Sequence, residues 1–318
     1  MKVVSARTVL RYIYYVYLDQ MLLIILSGWA NLFTNVCQIL KPFDRRTYAA
    51  TLIAGGSKIS LIAPTRRQLK AAFREAATYS AYYQSVSSYC IQKRSSIALD
   101  VGANIGYYAK LLCMANEDLM VFSFEPDRRN AFFYSSNLLS VPNAVLINAG
   151  ISDRLEYKHL SIPGYATSRS GELAFNTGLL SAIDSPSSSN GSIFLNGSSI
   201  CNTYNIDPAA TGWIKIDVEG FEESVLKSFD SFVALSPAVI QIELNNNFVQ
   251  SSTQIQFYVD FVKRHDMAIM VTREDANVFN DHSFGVPSHS VEIYLVKRND
   301  VHIFTDFFLN AIEIQVPF

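Results

Sequence analysis

Charge is scarce in this chain. Asp, Glu, Lys and Arg make up 17% of its 318 residues, where soluble domains carry roughly 25%. The charge present nearly cancels, 26 basic residues against 28 acidic, for a net charge of −2. That balance excludes the broad basic face needed to track a phosphate backbone, so nucleic acid is not an expected partner. Cysteine is sparse too. Cys37, Cys90, Cys113 and Cys201 stand far apart with no C-x-x-C pair, which excludes a zinc knot and a disulfide framework and suits a reducing, cytoplasmic setting. The five histidines lack ligand spacing, so no metal site is expected. No small-residue cleavage site follows the apolar run near the N-terminus, and no cleaved signal is read there.

Apolar residues are in good supply, at 49% of the chain with 13% aromatic. That is enough for one large core, with apolar surface left over to meet a partner. Tyr12 to Leu40 contains a single charge, Asp19. Within this stretch Gln20, Ser27, Asn31, Thr34, Asn35 and Gln38 gather on one side at helical spacing, which predicts an amphipathic helix. Four roles compete for it: a cover on the domain, a homo-oligomer contact, a peripheral membrane contact through residues 12–40, which basic residues flank, or a membrane span, for which the uncharged run Met21 to Leu40 is long enough. A second helix is predicted over Thr65–Tyr83, and residues 1–94 together read as a helical N-terminal extension.

After Arg94 short β-branched runs alternate with helix-length segments, the pattern of parallel strands joined by crossovers. Ile97–Val101, Leu119–Glu125, Ala144–Ala149, Trp213–Val218, Ala238–Leu244, Ala268–Thr272 and Val291–Val296 make seven candidate strands. They predict a Rossmann-like α/β domain over residues 95–318, its seven-stranded, mostly parallel sheet doubly wound. Residues 161–205 form an insert. Its stretch Asp184–Ser199 is so rich in Ser, Asn and Gly that it is expected to stay loose.

Chemistry concentrates at strand ends. In DVGANIG, Gly102 and Gly106 let the backbone turn sharply and approach a ligand. Asn104 stands at the middle position of the dinucleotide-binding spacing and the next glycine comes one residue early, which favours S-adenosylmethionine over NAD. Glu125 closes the next strand about 20 residues on, where a carboxylate accepts hydrogen bonds from ribose hydroxyls; the alternative is a carboxylate placed at a helix start. Ser152 or Asp153 in NAGISD would flank an adenine, or serve as plain turn chemistry. In WIKIDVEGFEESVL, Lys215, Asp217 and Glu219 put three charges on one face of a strand that is otherwise apolar. Such charges imply pairing or ligand contact. Asp217 or Glu219 is the candidate base or orienting group for an acceptor hydroxyl, with a structural Lys215 ion pair as the alternative. Glu243, ending the fifth strand, would face the same pocket.

Taken together, LDVGANIGYYA, FSFEP, the helix end at Asn137, NAGISD, WIKIDVEGFEESVL and PAVIQIEL resemble the FkbM family of S-adenosylmethionine-dependent methyltransferases over about residues 95 to 297. The resemblance implies a class I methyltransferase fold with Asp100, Gly102, Asn104 and Gly106 in the cofactor loop. It further implies Glu125 on the ribose, Asp217 and Glu219 facing the methyl group, and O-methylation of a hydroxyl on a sugar, glycan or related small molecule. One departure is visible: a Leu-Asp pair common before the fourth strand is replaced by NGSSICNTYNID. A nicotinamide-dependent oxidoreductase or epimerase, and a catalytically silent membrane-attached scaffold, are the competing readings.

Overall fold

The computed structural model describes residues 47–54, 57–64, 68–70, 72–73, 80–161, 181–183, 191–244, 252–279 and 290–316. The amphipathic segment 12–40 and Cys37 lie outside them. Among the described residues no helix is long and apolar enough to cross a membrane.

The chain opens with a hairpin, β1 (Tyr48–Ala54) against β2 (Ser57–Ala63), paired antiparallel with Ala54 opposite Ser57. This corrects the all-helical reading of residues 1–94. The segments YAATLIA and SKISLIA are both β-branched and apolar-rich, and Gly55-Gly56 between them is a two-residue hairpin signal. The helix expected over 65–83 is helical at 68–70 and 72–73, and a full helix, α1, runs later, from Ser80 to Gln92.

The α/β unit then alternates as predicted: β3 (Ile97–Val101), α2 (Tyr107–Ala115), β4 (Met120–Phe124), α3 (Arg128–Asn137) and β5 (Ala144–Ile147). A branch follows, made of β6 (Gly150–Ser152), β7 (Glu156–Ser161), β8 (Ser181–Ile183), β9 (Gly191–Asn196) and the short helix α4 (Gly197–Thr203). The chain returns through β10 (Thr211–Ile216), α5 (Glu222–Ser228), α6 (Asp230–Leu235), β11 (Val239–Leu244), α7 (Ser252–Arg264) and β12 (Met267–Thr272). It closes with β13 (Val291–Lys297), α8 (Val301–Phe307) and β14 (Ala311–Ile314).

The main sheet has the order β14-β12-β13-β11-β10-β3-β4-β5. Neighbours from β5 to β11 pair parallel, β13 runs antiparallel between β11 and β12, and β14 is antiparallel on β12. All seven predicted strands are present and the sheet has eight; the added strand, AIEI, is too short to stand out by periodicity. Central strands bury both faces, β10 along its whole length and β3 in four of its five residues, as expected where helices cover both sides. Two apolar clusters form the core. One gathers Ile214, Phe229, Ile240 and Phe261, the other Trp213, Tyr89, Tyr108 and Phe304.

The insert departs from expectation. Gly191–Asn196 forms β9, which joins β6, β7 and β8 in a second sheet of order β6-β9-β7-β8. Its sequence, GSIFLN, pairs in register with Glu156–His159, so tertiary pairing orders a run whose composition pointed to a loop. Asn196 caps α4 by accepting from the Ser199 N–H.

Candidate active site

Winding reverses between β3 and β10: the chain builds outward through β4 and β5, then returns to the other side of β3. Loops leaving the carboxyl ends diverge at such a point and leave a crevice. Here it is a cleft of about 630 Å³ open to solvent, lined by Gly102, Asn104, Glu125, Asp217 and Glu219, with Gly150, Ile151, Leu160 and Phe194 from the second sheet.

Gly102 has φ +89, and a Cβ there would stand 1.9 Å from the Asp217 carbonyl oxygen. The turn after β3 therefore presses backbone to backbone against the segment after β10. Gly106 (φ +81) starts α2 under the Tyr134 ring and the Leu138 side chain; it shapes the turn without lining the cleft. Asn104 takes φ 51, a left-handed conformation that asparagine tolerates. Its side chain accepts from Gln68 Nε2 at 3.0 Å and its N–H donates to Glu125 Oε2 at 2.7 Å.

Glu125 is buried, and its other oxygen accepts from the Asp127 N–H at 2.8 Å. Burial pushes its carboxyl up to about 8, against the pull of those N–H bonds. The helix-start role weighed for Glu125 belongs to Asp127, which caps α3 by accepting from Arg129 and Asn130. Glu125 is left to line the cleft with lone pairs to spare.

Lys215 binds Asp217 at 2.9 Å, so the ion pair weighed from sequence is formed. Burial pulls the Lys215 ammonium down, yet Asp217 and Asp100 outweigh it and hold the group above its usual range. Asp217 still reaches the cleft. Glu219 follows with φ 52; burial, then the Asp217 charge, raise its carboxyl to about 8.

Three candidates sit elsewhere than expected. Asp100 is fully buried and does not line the cleft; it lies beside Lys215 in the strand register, and neither of its oxygens has a hydrogen-bond partner. Ser152 and Asp153 turn away to a network with Glu156 and Ser224, and Gly150 with Ile151 takes the lining position. The chain turns into β6 immediately after β5, which carries Ser152 past the cleft.

A second, larger cavity of about 1790 Å³, also open to solvent, adjoins the first on the β11 side and shares Asp217 with it. Glu243, Glu292, Gln241 and a group of tyrosines line it. Glu243 is raised to about 9, first by the Asp217 charge and then by burial; burial also raises Glu292. Gln241 Oε1 accepts from Tyr82, from Tyr108 at 3.2 Å and from Trp213 Nε1 at 3.3 Å. Sequence reasoning missed Tyr82, Tyr108, Phe194 and Glu292. Of these, Glu292 alone left a signal, a carboxylate inside an apolar strand.

The strand order and the cleft at the winding switch define a Rossmann-like class I methyltransferase fold. The chain belongs to the methyltransferase FkbM domain family, whose domain it matches over residues 100–268. No curated protein matches it. Among solved structures it is similar to the methyltransferase FkbM from Methylobacillus flagellatus KT, at 16% identity and TM-score 0.41 over 63% of this chain; the match spans 43% of that chain. It is also similar to the O-methyltransferase TomG from Streptomyces achromogenes in complex with SAM, at 12% identity and TM-score 0.37, covering 73% of this chain and 88% of that one. A third is M. jannaschii TYW2 in complex with AdoMet, at 10% identity and TM-score 0.38, covering 78% and 86%.

The cofactor of this methyltransferase domain is S-adenosylmethionine. The residues fit it: the absent Cβ at Gly102 lets the turn close against the Asp217 backbone and line the cleft, Glu125 offers acceptors for ribose hydroxyls, and Ile151, Leu160 and Phe194 supply apolar surface for a base. Family membership sets aside the nicotinamide reading.

Proposed function

We propose that the protein transfers a methyl group from S-adenosylmethionine to a hydroxyl oxygen of a sugar, glycan or related small molecule. The observation that carries this reading is the meeting of two cavities at Asp217, a cleft suited to the cofactor and a larger one free for an acceptor. Bound in the cleft, the cofactor supplies an electrophilic methyl group. The protein's part is to align the acceptor oxygen and take its proton.

Glu219 is the proton acceptor in this reading. It lines the cleft, and a carboxyl raised to about 8 is poised near the working pH, where general bases act best. Asp217, tied to Lys215 at 2.9 Å, orients the hydroxyl. The missing Leu-Asp pair leaves this arrangement intact, because none of its residues comes from 196–207.

Methyl transfer to a panel of monosaccharides, followed by mass spectrometry, tests the reaction. The rate should rise with pH to a plateau above about 8. Glu219→Gln should lower kcat about 100-fold or more and flatten that profile, with cofactor affinity unchanged. Methylation at a carbon or nitrogen, or an unaltered pH profile in Glu219→Gln, would sink the assignment.

A further inference from the structure

The loop after β10 carries Asp217, Val218, Glu219 and Phe221 into the cofactor cleft. Its shape depends on two consecutive left-handed residues, Glu219 at φ 52 and Gly220 at φ 102. Glycine takes that conformation freely. Glutamate resists it, because its Cβ crowds the following carbonyl, so such a turn persists only where the surrounding structure holds it.

Glu222, the first residue of α5, supplies that hold. Its Oε1 accepts from the Gly220 N–H at 3.0 Å, and the backbone N–H groups of Glu222 itself and of Val218 draw on the same carboxylate. The side chain thus folds back over the turn that presents Glu219. Glu222 is only 5% exposed, and burial raises its carboxyl to about 7 against the pull of those N–H bonds, with Asp217 adding to the rise. Tyr258 of α7 lies within reach of its charge. An acid in the first turn of a helix ordinarily serves the helix dipole from the surface. The next residue does so: Glu223 is partly exposed and pairs with Lys227 at 2.6 Å. Glu222 gives up solvent, a costly position for a carboxylate unless hydrogen bonds offset it, and the bonds it makes are to the turn.

We propose that Glu222 is a positioning residue for methyl transfer: it fixes the left-handed turn at Glu219 and Gly220 and so aims the Glu219 carboxylate into the cleft. This rests on the reading of Glu219 as proton acceptor. Without the Gly220 bond the turn relaxes, and Glu219 leaves the cleft for water.

The test uses the full chain, labelled at its glutamate carboxyl carbons and saturated with S-adenosylhomocysteine, and needs no acceptor. NMR follows the Glu219 signal with pH, its assignment given by its absence in Glu219→Gln. In the wild type it should titrate near 8, where burial and the Asp217 charge hold it. Two variants separate charge from support. Glu222→Gln loses the charge and keeps an oxygen for the Gly220 N–H, so Glu219 should still titrate well above the ordinary carboxyl range. Glu222→Leu keeps bulk and loses the acceptor, and there Glu219 should fall toward the ordinary 4.5. Its S-adenosylhomocysteine affinity should stay within about threefold of wild type, which shows that the variant is folded. In turnover on a monosaccharide, Glu222→Leu should lower kcat about tenfold with KM unchanged, as loss of one charge-assisted hydrogen bond produces. Glu222→Gln should recover most of that rate, and in a Glu219→Gln background the Leu substitution should add nothing. An unmoved Glu219 titration in Glu222→Leu overturns the proposal. So does an equal fall in both variants, which traces the effect to charge alone, or a full further loss of rate in the Glu219→Gln background. Loss of S-adenosylhomocysteine binding in Glu222→Leu also overturns it, because Glu222 would then serve the whole cleft. A Glu219→Gln chain that turns over like wild type removes the proton-acceptor reading instead, and the titration separates that failure from this one.

Discussion

Glu243, in the wall of the second cavity, illustrates how a single residue ties stability to pH here. The Asp217 charge and burial raise its carboxyl from an ordinary 4.5 to about 9. Between those values the folded chain keeps a proton that the unfolded chain has released, so stability falls as pH rises through that window. Glu125 and Glu219, each raised to about 8 mainly by burial, act in the same direction. Glu243→Gln cannot lose a proton and should escape its share of this loss. Melting curves should show the variant level with wild type at pH 5 and above it by about 2–4 °C at pH 8, the shift that roughly 1 kcal/mol produces in a domain of this size. A variant less stable than wild type at pH 8 would refute the cause assigned to the shift.

At the scale of elements, the junction between the N-terminal hairpin and the cofactor loop matters most. Asn137, the last residue of α3, is buried. Its side-chain amide donates to the carbonyls of Ile62 at 3.0 Å and Ile105 at 2.8 Å, and its side-chain oxygen accepts from the Ile62 N–H at 2.8 Å. Lys110 adds to the clamp by donating to the carbonyls of Ser60 at 2.9 Å and Asn137 at 2.7 Å. One residue thus bolts β2 to the loop that carries Gly102 and Asn104. Asn137→Ala leaves buried backbone groups unpaired, each costing about 1–3 kcal/mol. It should lower Tm and raise the cofactor Kd together. A lower Tm with unchanged Kd would mean that the clamp holds the hairpin alone.

Across the whole molecule, the cleft draws walls from the main sheet and from the second sheet, while Gln68 reaches Asn104 from the N-terminal region. Ligand binding should therefore tighten more than the cofactor loop. S-adenosylhomocysteine at 100 times its Kd stabilises the fold by about 2.7 kcal/mol. Hydrogen exchange should then slow in β2 and β9 as well as in residues 100–106. Protection confined to the loop would show that the branch and the hairpin are passengers.

How much of this was legible beforehand follows from the range of each interaction. The alternation of strands and helices, the glycine turn, the carboxylate closing β4 and the charged run after β10 are local patterns, set by backbone sterics and by burial on both faces of a parallel strand. They sufficed for the fold class, the cofactor and the positions of Gly102, Asn104, Glu125, Asp217 and Glu219. Tertiary structure decided the rest. Only strand pairing turned GSIFLN into a wall of the cleft, carried Ser152 away from it, and placed Glu292 beside Glu243. Asp100, read as part of the cofactor loop, proved to be a buried neighbour of Lys215 because parallel register aligns β3 with β10. Local sequence specifies which residues are polar and which way a strand alternates. Long-range pairing alone determines whose charge a polar residue meets, and at this site those meetings define the chemistry.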